Sequence, residues 1–174
     1  MFIDFNNIMF GLRNRRYIYI GSGSSREVYD LENGYVVKVA KNKAGIEQNR
    51  AEYYISANDS SGIFAKVIEA SNDYCLIIMR KAKKIRDIRL VWNYFNAGNK
   101  REFYESLHMQ RIKNKYKLLL GDFEKTSSWG IINGRPVIID YGFTRYVERK
   151  YYHKSYDYRS SIYNPPATCF FKIT

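Results

Sequence analysis

The residues able to do chemistry in this 174-residue chain form an ordered series. A turn, Gly21-Ser22-Gly23-Ser24-Ser25, is followed by Arg26 and, two residues on, by Val28. Lys38 ends the run Val36-Val37-Lys38, and Glu47 and Glu52 lie in the stretch after it. Asp122 stands in Leu120-Gly121-Asp122-Phe123, and Asp140 opens Asp140-Tyr141-Gly142, 18 residues later. Glycines let backbone N–H groups come close to a phosphate. A carboxylate accepts a proton or takes a hard cation such as Mg²⁺ through oxygen. A lysine supplies a compact positive point on a flexible stem. The series reads as phosphate chemistry. His108, His153, Cys75 and Cys169 have no metal-ligand spacing, and His108 reads as a packing or hydrogen-bonding histidine.

Strands and helices must bring these residues together. Tyr17-Ile18-Tyr19-Ile20 is a short β-rich run before the Gly/Ser turn. Glu27-Val28-Tyr29-Asp30-Leu31 and Tyr35-Val36-Val37-Lys38-Val39-Ala40 flank Asn33-Gly34, a strong hairpin signal. These three strands predict an antiparallel meander. Residues 46–57 predict a helix, with Ile46, Arg50-Ala51 and Tyr54-Ile55 near one face. Residues 64–69 and 74–79 predict two more strands around the turn Ala70-Ser71-Asn72-Asp73. Residues 88–96 and 101–120 predict helices. Gly130-Ile131-Ile132 and Pro136-Val137-Ile138-Ile139 flank a second Asn-Gly turn, Asn133-Gly134, and Asp140 follows that hairpin directly. Trp129 reads as core, and the basic, tyrosine-rich stretch from Arg145 carries no assignment.

In this order the motifs resemble the protein-kinase family. The family's loop, G-x-G-x-x-G-x-V, has Gly21, Gly23 and Val28 in register here, with Arg26 at the third glycine. Val36-Val37-Lys38 resembles its V-A-I-K strand, Asp122 its catalytic-loop aspartate, and Asp140-Tyr141-Gly142 its D-F-G. The resemblance covers residues 17–146. It implies an α+β, two-lobed protein-kinase-like fold, with a five-stranded antiparallel N-lobe over residues 1–79. A truncated, mostly helical C-lobe would fill residues 80–174. It implies ATP and Mg²⁺ as cofactors. The nucleotide would lie against Gly21, Ser22, Gly23, Ser24 and Val28, with Met79 at the hinge between lobes. Lys38 would hold the α/β phosphates, itself held by Glu52, with Glu47 as the second choice. Asp122 would orient the acceptor hydroxyl and take its proton, and Asp140 would bind Mg²⁺.

This chain departs from the pattern in several places. Leu120 and Gly121 replace the His-Arg before the catalytic aspartate, a form closer to small-molecule and atypical bacterial kinases. The loop asparagine position is Ser127, a weaker second metal ligand, with Ser128 beside it. No A-P-E occurs, and 32 residues follow Gly142, too few for the usual peptide-binding subdomain.

Composition bounds the rest. Hydrophobic residues make up 45%, which excludes a disordered chain. The 29 aromatics include 17 tyrosines and supply large, partly polar side chains. Two cysteines make no disulfide framework and fit a reducing interior. No apolar run reaches the ~20 residues that span a bilayer, and no targeting segment is visible. The expected setting is cytoplasmic, the host cytoplasm if the protein is phage-encoded, with no membrane partner. The net charge is +12, and residues 80–117 hold twelve basic side chains against three acidic ones. Such a cluster attracts nucleic acid or an acidic protein surface. Arg145, Arg149, Lys150 and Lys154 add further charge that would grip an acidic partner or solvate the tail. Three functions are therefore expected in this order: an ATP/Mg²⁺-dependent phosphotransferase acting on a hydroxyl of a protein or small molecule, a pseudokinase-like binding module, and a basic nucleic-acid-binding domain.

Overall fold

Asp4 starts the first helix. Its carboxylate accepts from the N–H groups of Asn6 and Asn7 at 2.9 and 3.3 Å and caps α1 (Phe5–Arg13). The sequence reading assigned no helix here. The computed structural model describes residues 3–153. Within them the chain is α+β, with a five-stranded antiparallel sheet, a three-stranded antiparallel sheet and six α-helices.

The first sheet contains β1 (Ile18–Ser22), β2 (Arg26–Asp30), β3 (Tyr35–Ala40), β4 (Val67–Ala70) and β5 (Leu76–Arg80), in the order β1-β2-β3-β5-β4. The expected meander is its first three strands. Strand β3 is central, and Lys38 stands opposite Val28 on one side and Ile77 on the other. Alternation sorts its side chains. Val37 and Val39 join Leu76 and Ile78 beneath Ile8 and Leu12 of α1. Val36 and Met79 join the larger core on the opposite face. Lys38 falls on the same face as Val36.

That face is covered by α2 (Lys43–Asn58), which Asn42 caps by accepting from Gly45 N–H at 3.0 Å. The stripe expected from Ile46, Arg50-Ala51 and Tyr54-Ile55 is buried only in part: Ile55 is buried, Ile46 and Ala51 are half-buried, and Arg50 and Tyr54 are exposed. Gly45, Gln48, Asn49, Glu52 and Ser56 turn inward beside Ile55. Their polar types hide the stripe from a hydrophobic count, because the helix packs over charged partners as well as apolar ones. Gly45 is required there, since a Cβ would run into the Ser25 carbonyl oxygen.

Three further expectations shift. Phe64 makes only an isolated bridge with Ile138, and the strand proper begins at Val67. The helix expected over 101–120 divides into α4 (Lys100–Glu105) and α5 (Leu107–Tyr116). Ser106 takes extended ψ between them and caps α5 through Met109 N–H, so its hydroxyl competes with continuation of the helix. The Asn33-Gly34 turn is longer than a two-residue hairpin: Glu32 and Gly34 have positive φ, and Asp30 accepts from Glu32 N–H at 3.0 Å. By contrast Asn133 and Gly134 both have positive φ and join Ile132 directly to Arg135, as a two-residue hairpin requires.

The remaining elements complete the second part of the chain. These are β6 (Lys83–Lys84), α3 (Arg89–Tyr94), 3₁₀ turns over Leu120–Glu124 and Thr126–Ser128, β7 (Trp129–Ile132), β8 (Arg135–Ile138) and α6 (Arg145–Tyr151). Trp129 is fully buried, as expected. One core cluster runs from Val36, Ile55 and Met79 to Phe103, Met109, Ile112, Phe123 and Trp129, so the two parts share an interior. No helix of the described residues is long and apolar enough to cross a membrane. Cys169 and Lys154 lie outside the described residues.

Candidate functional site

Lys38, Glu52 and Asp140 come together, as the sequence order implied, and a fourth residue joins them. Lys38 Nζ donates to both carboxylate oxygens of Glu52, at 2.9 and 2.7 Å, and to the Ile139 carbonyl at 2.6 Å. All three ammonium hydrogens are therefore used inside the protein. Glu52, not Glu47, is the partner; Glu47 pairs with Arg50 at the surface. Glu52 is 0% exposed, and its Oε1 also accepts from the N–H groups of Tyr141 and Gly142, both at 3.1 Å. This single carboxylate ties α2 to β3 and to the segment after β8.

The fourth residue is Arg26. It starts β2 and is only 7% exposed. One guanidinium nitrogen lies 3.0 Å from Glu52 Oε1 and the other donates to Asp140 Oδ1. The guanidinium also reaches Asn49 Oδ1 at 3.4 Å, while Asn49 Nδ2 donates to the Tyr74 carbonyl at 2.9 Å. Arg26, Lys38, Glu52 and Asp140 thus form an internally neutral set of two cations and two anions. Burial works to lower the Arg26 pKa, but Glu52 and Asp140 outweigh it and hold the guanidinium charged. Burial lowers the Lys38 pKa, with Glu52 opposing. Desolvation works to raise the Asp140 pKa, and the charges of Arg26 and Lys38 outweigh it, so this carboxyl sits below its ordinary range.

Sequence reasoning noted Arg26 only as a missing glycine. A cation at a position that should leave backbone bare was the available signal. Its inward path was not visible, because Arg26 faces away from solvent through the register of β2 on β3.

Asp122 lies in the first 3₁₀ turn with Lys125 Nζ 3.7 Å away. Partial burial pushes its pKa up; Lys125 pulls it down, and the negative charge of Asp140 pushes it up again, leaving it raised. The two aspartates are therefore close enough to feel one another. Ser127 is exposed, whereas Ser128 is buried and donates to the Asp122 carbonyl at 2.6 Å.

The Gly/Ser turn is open. Nothing stands near where a Cβ would be at Gly21 or Gly23. Gly21 pairs with Val28 beside an irregularity in β1, and Val28 packs on the main core. Ser22 accepts from Lys41 Nζ at 2.8 Å. Ser24 Oγ lies 3.2 Å from the Tyr152 hydroxyl, which also accepts from Gln48 Nε2 at 3.3 Å. Tyr152 was not anticipated, and no local pattern marks it. Met79 is 1% exposed and paired in β5 with Val36 and Val67, a core position at the strand end. Among the described residues, no group of three or more His, Cys, Asp or Glu side chains could hold a metal ion. Asp140 Oδ1 is bonded to Arg26, and the Asp140 side chain is 55% exposed. No protein-family model matches this chain, and no curated protein matches it.

Proposed function

We propose that the chain is a two-lobed, kinase-like domain whose phosphate site is closed by its own ion pairs and which serves as a binding module. The observation that carries this reading is the Arg26 guanidinium on Asp140 and Glu52. A permanent cation stands where the family resemblance puts a divalent one. Lys38, meanwhile, has no donor left for a phosphate. Opening the site to a nucleotide would require breaking the buried, charge-assisted hydrogen bonds of Lys38 and Arg26 to Glu52, each contributing roughly 1.5–3 kcal/mol. The partner is a protein or small molecule.

A second reading, ATP-dependent phosphoryl transfer to a hydroxyl acceptor, is favoured by Asp122. Its raised pKa makes it a stronger base than an ordinary carboxylate, and it stands near Asp140. Calorimetry separates the two. Wild-type protein titrated with ATP, with and without Mg²⁺, is expected to gain no affinity from the metal. Arg26→Gly, which frees Asp140, is expected to gain Mg²⁺-dependent binding. Wild-type binding that requires both Mg²⁺ and Asp140, lost in Asp140→Ala, would replace the first reading with the second.

A further inference from the structure

Many of the cations that crowd residues 80–117 are spent on neighbours. Lys81 bonds Asp30, Arg89 pairs with Asp87, Lys100 with Glu124 and Arg101 with Glu105. Lys115 donates to the Asn58 carbonyl at 2.9 Å. Lys113 and Lys117 differ. With Arg145, Tyr146, Arg149 and Lys150 they line a concave pocket of about 770 Å³. No carboxylate among the described residues lines it. Among the described residues, none of Lys113, Lys117, Arg145 and Arg149 has an ion pair.

The scaffold beneath this pocket is fixed. Lys117 ends α5 in the left-handed region, with φ 54°, and its carbonyl accepts from Arg145 N–H at 2.9 Å. Leu118 bridges Thr144, whose hydroxyl caps α6. The end of α5 and the start of α6 are thereby locked together, and the cations of both converge without rearrangement. Four unpaired cations around one concavity repel one another, and an anion entering it removes that repulsion. Tyr146 adds something a plain anion site lacks. Its ring is 56% exposed in the middle of the cations, and Lys150 Nζ donates to its hydroxyl at 2.7 Å. A rigid aromatic face among phosphate-binding cations is what a base stacks on in single-stranded nucleic acid.

We infer that the pocket between α5 and α6 binds single-stranded nucleic acid, with phosphates on Lys113, Lys117, Arg145 and Arg149 and a base on Tyr146. This site is separate from the Arg26 cluster and does not rest on the kinase-like reading. The test is fluorescence anisotropy of the full chain with a labelled single strand of about twelve uridines. Neutralising four phosphates predicts that log K falls against log salt with a slope of roughly −3. Lys113→Glu with Arg149→Glu is expected to weaken binding at least about tenfold, and Tyr146→Ala about tenfold with the salt slope kept. Tyr146→Phe is expected to bind like wild type. Lys83→Glu with Lys84→Glu makes the same change in net charge elsewhere, and is expected to cost far less. Thermal melts of each variant establish that it is folded. Equal losses in the two charge-reversed pairs would show a response to net charge alone and overturn the assignment. So would a Tyr146→Ala variant that binds as wild type does, or displacement of the strand by a polyglutamate of equal charge at equal concentration, which would mark an acidic-peptide site.

Discussion

Glu52 carries more of the site than any other side chain. It is wholly buried and holds Lys38, Arg26 and two backbone N–H groups. Glu52→Gln keeps the shape and removes the charge, leaving the Lys38 ammonium buried without its counter-ion. Breaking one side of a buried pair costs about 3–5 kcal/mol, and urea unfolding should show a loss of that order. Adding Lys38→Met to Glu52→Gln removes the stranded charge, so the double variant should recover part of the loss; no recovery would mean that the backbone bonds of Glu52, not the ion pair, carry the effect. Asp122 behaves in the opposite sense. Its pKa is raised in the folded chain, so folding favours its protonated form. Its contribution is most favourable below the ordinary carboxylate range and is lost as pH rises through the raised value. Asp122→Asn should therefore melt above wild type at pH 7 and level with it near pH 3, and a difference independent of pH would refute this. Lys38, Glu52 and Asp140 were legible from type and order. Arg26 was not, because residue type alone does not say that a strand's first side chain runs inward to a carboxylate 114 positions away.

Elements made of alternating apolar residues were read from the sequence with small errors of length, and the Asn133-Gly134 turn was read to the residue. What escaped were elements whose signals are polar or brief. Helix α1 is announced only by Asp4, and α6 by Thr144, two caps followed by short runs. The inward face of α2 is mostly polar, so counting apolar residues found Ile55 but missed Gln48, Asn49 and Ser56. That face makes a specific demand on the chain after β8. Gly142 approaches α2 so closely that a Cβ would strike the Gln48 backbone, while its N–H donates to Glu52 at 3.1 Å. Its backbone is not in the left-handed region, so the restriction is contact rather than conformation. Gly142→Ala should push the Asp140 segment off the helix, costing about 1–3 kcal/mol by overpacking. Gly21→Ala meets open space and is the control. Urea midpoints that fall for Gly142→Ala and hold for Gly21→Ala confirm the close approach; equal midpoints for both would show that α2 has room to give.

Among the described residues, one of the two core clusters spans the boundary at which the family resemblance divides the chain into two lobes. The main cluster joins the sheet, through Val36 and Met79, to α2 through Ile55 and to the helical part through Phe103, Met109, Ile112 and Trp129. Phe64, before β4, bridges Ile138 of β8, and Ile138 N–H donates to the Ile63 carbonyl at 2.7 Å, so backbone hydrogen bonds cross the same boundary. Polar links reinforce them: Glu52 reaches Tyr141 and Gly142, and the Tyr141 hydroxyl donates to the Ala65 carbonyl at 2.6 Å. Separating the parts would expose large apolar surface at roughly 25 cal/mol per Å² and leave the Lys38–Glu52 pair without its cover. The main cluster draws on both parts, so unfolding should be a single cooperative event. Trp129 is 0% exposed in the second part, and its fluorescence reports that part, whereas far-UV dichroism sums over both. To make the fluorescence specific, Trp92, the other tryptophan, is replaced by phenylalanine. Urea curves followed by the two signals should then share one midpoint. Fluorescence that changes at a lower urea concentration than dichroism would show the helical part opening while the sheet persists. In that case the shared core would be an interface between two independently folding units, and the boundary near residue 79 would be thermodynamic as well as topological.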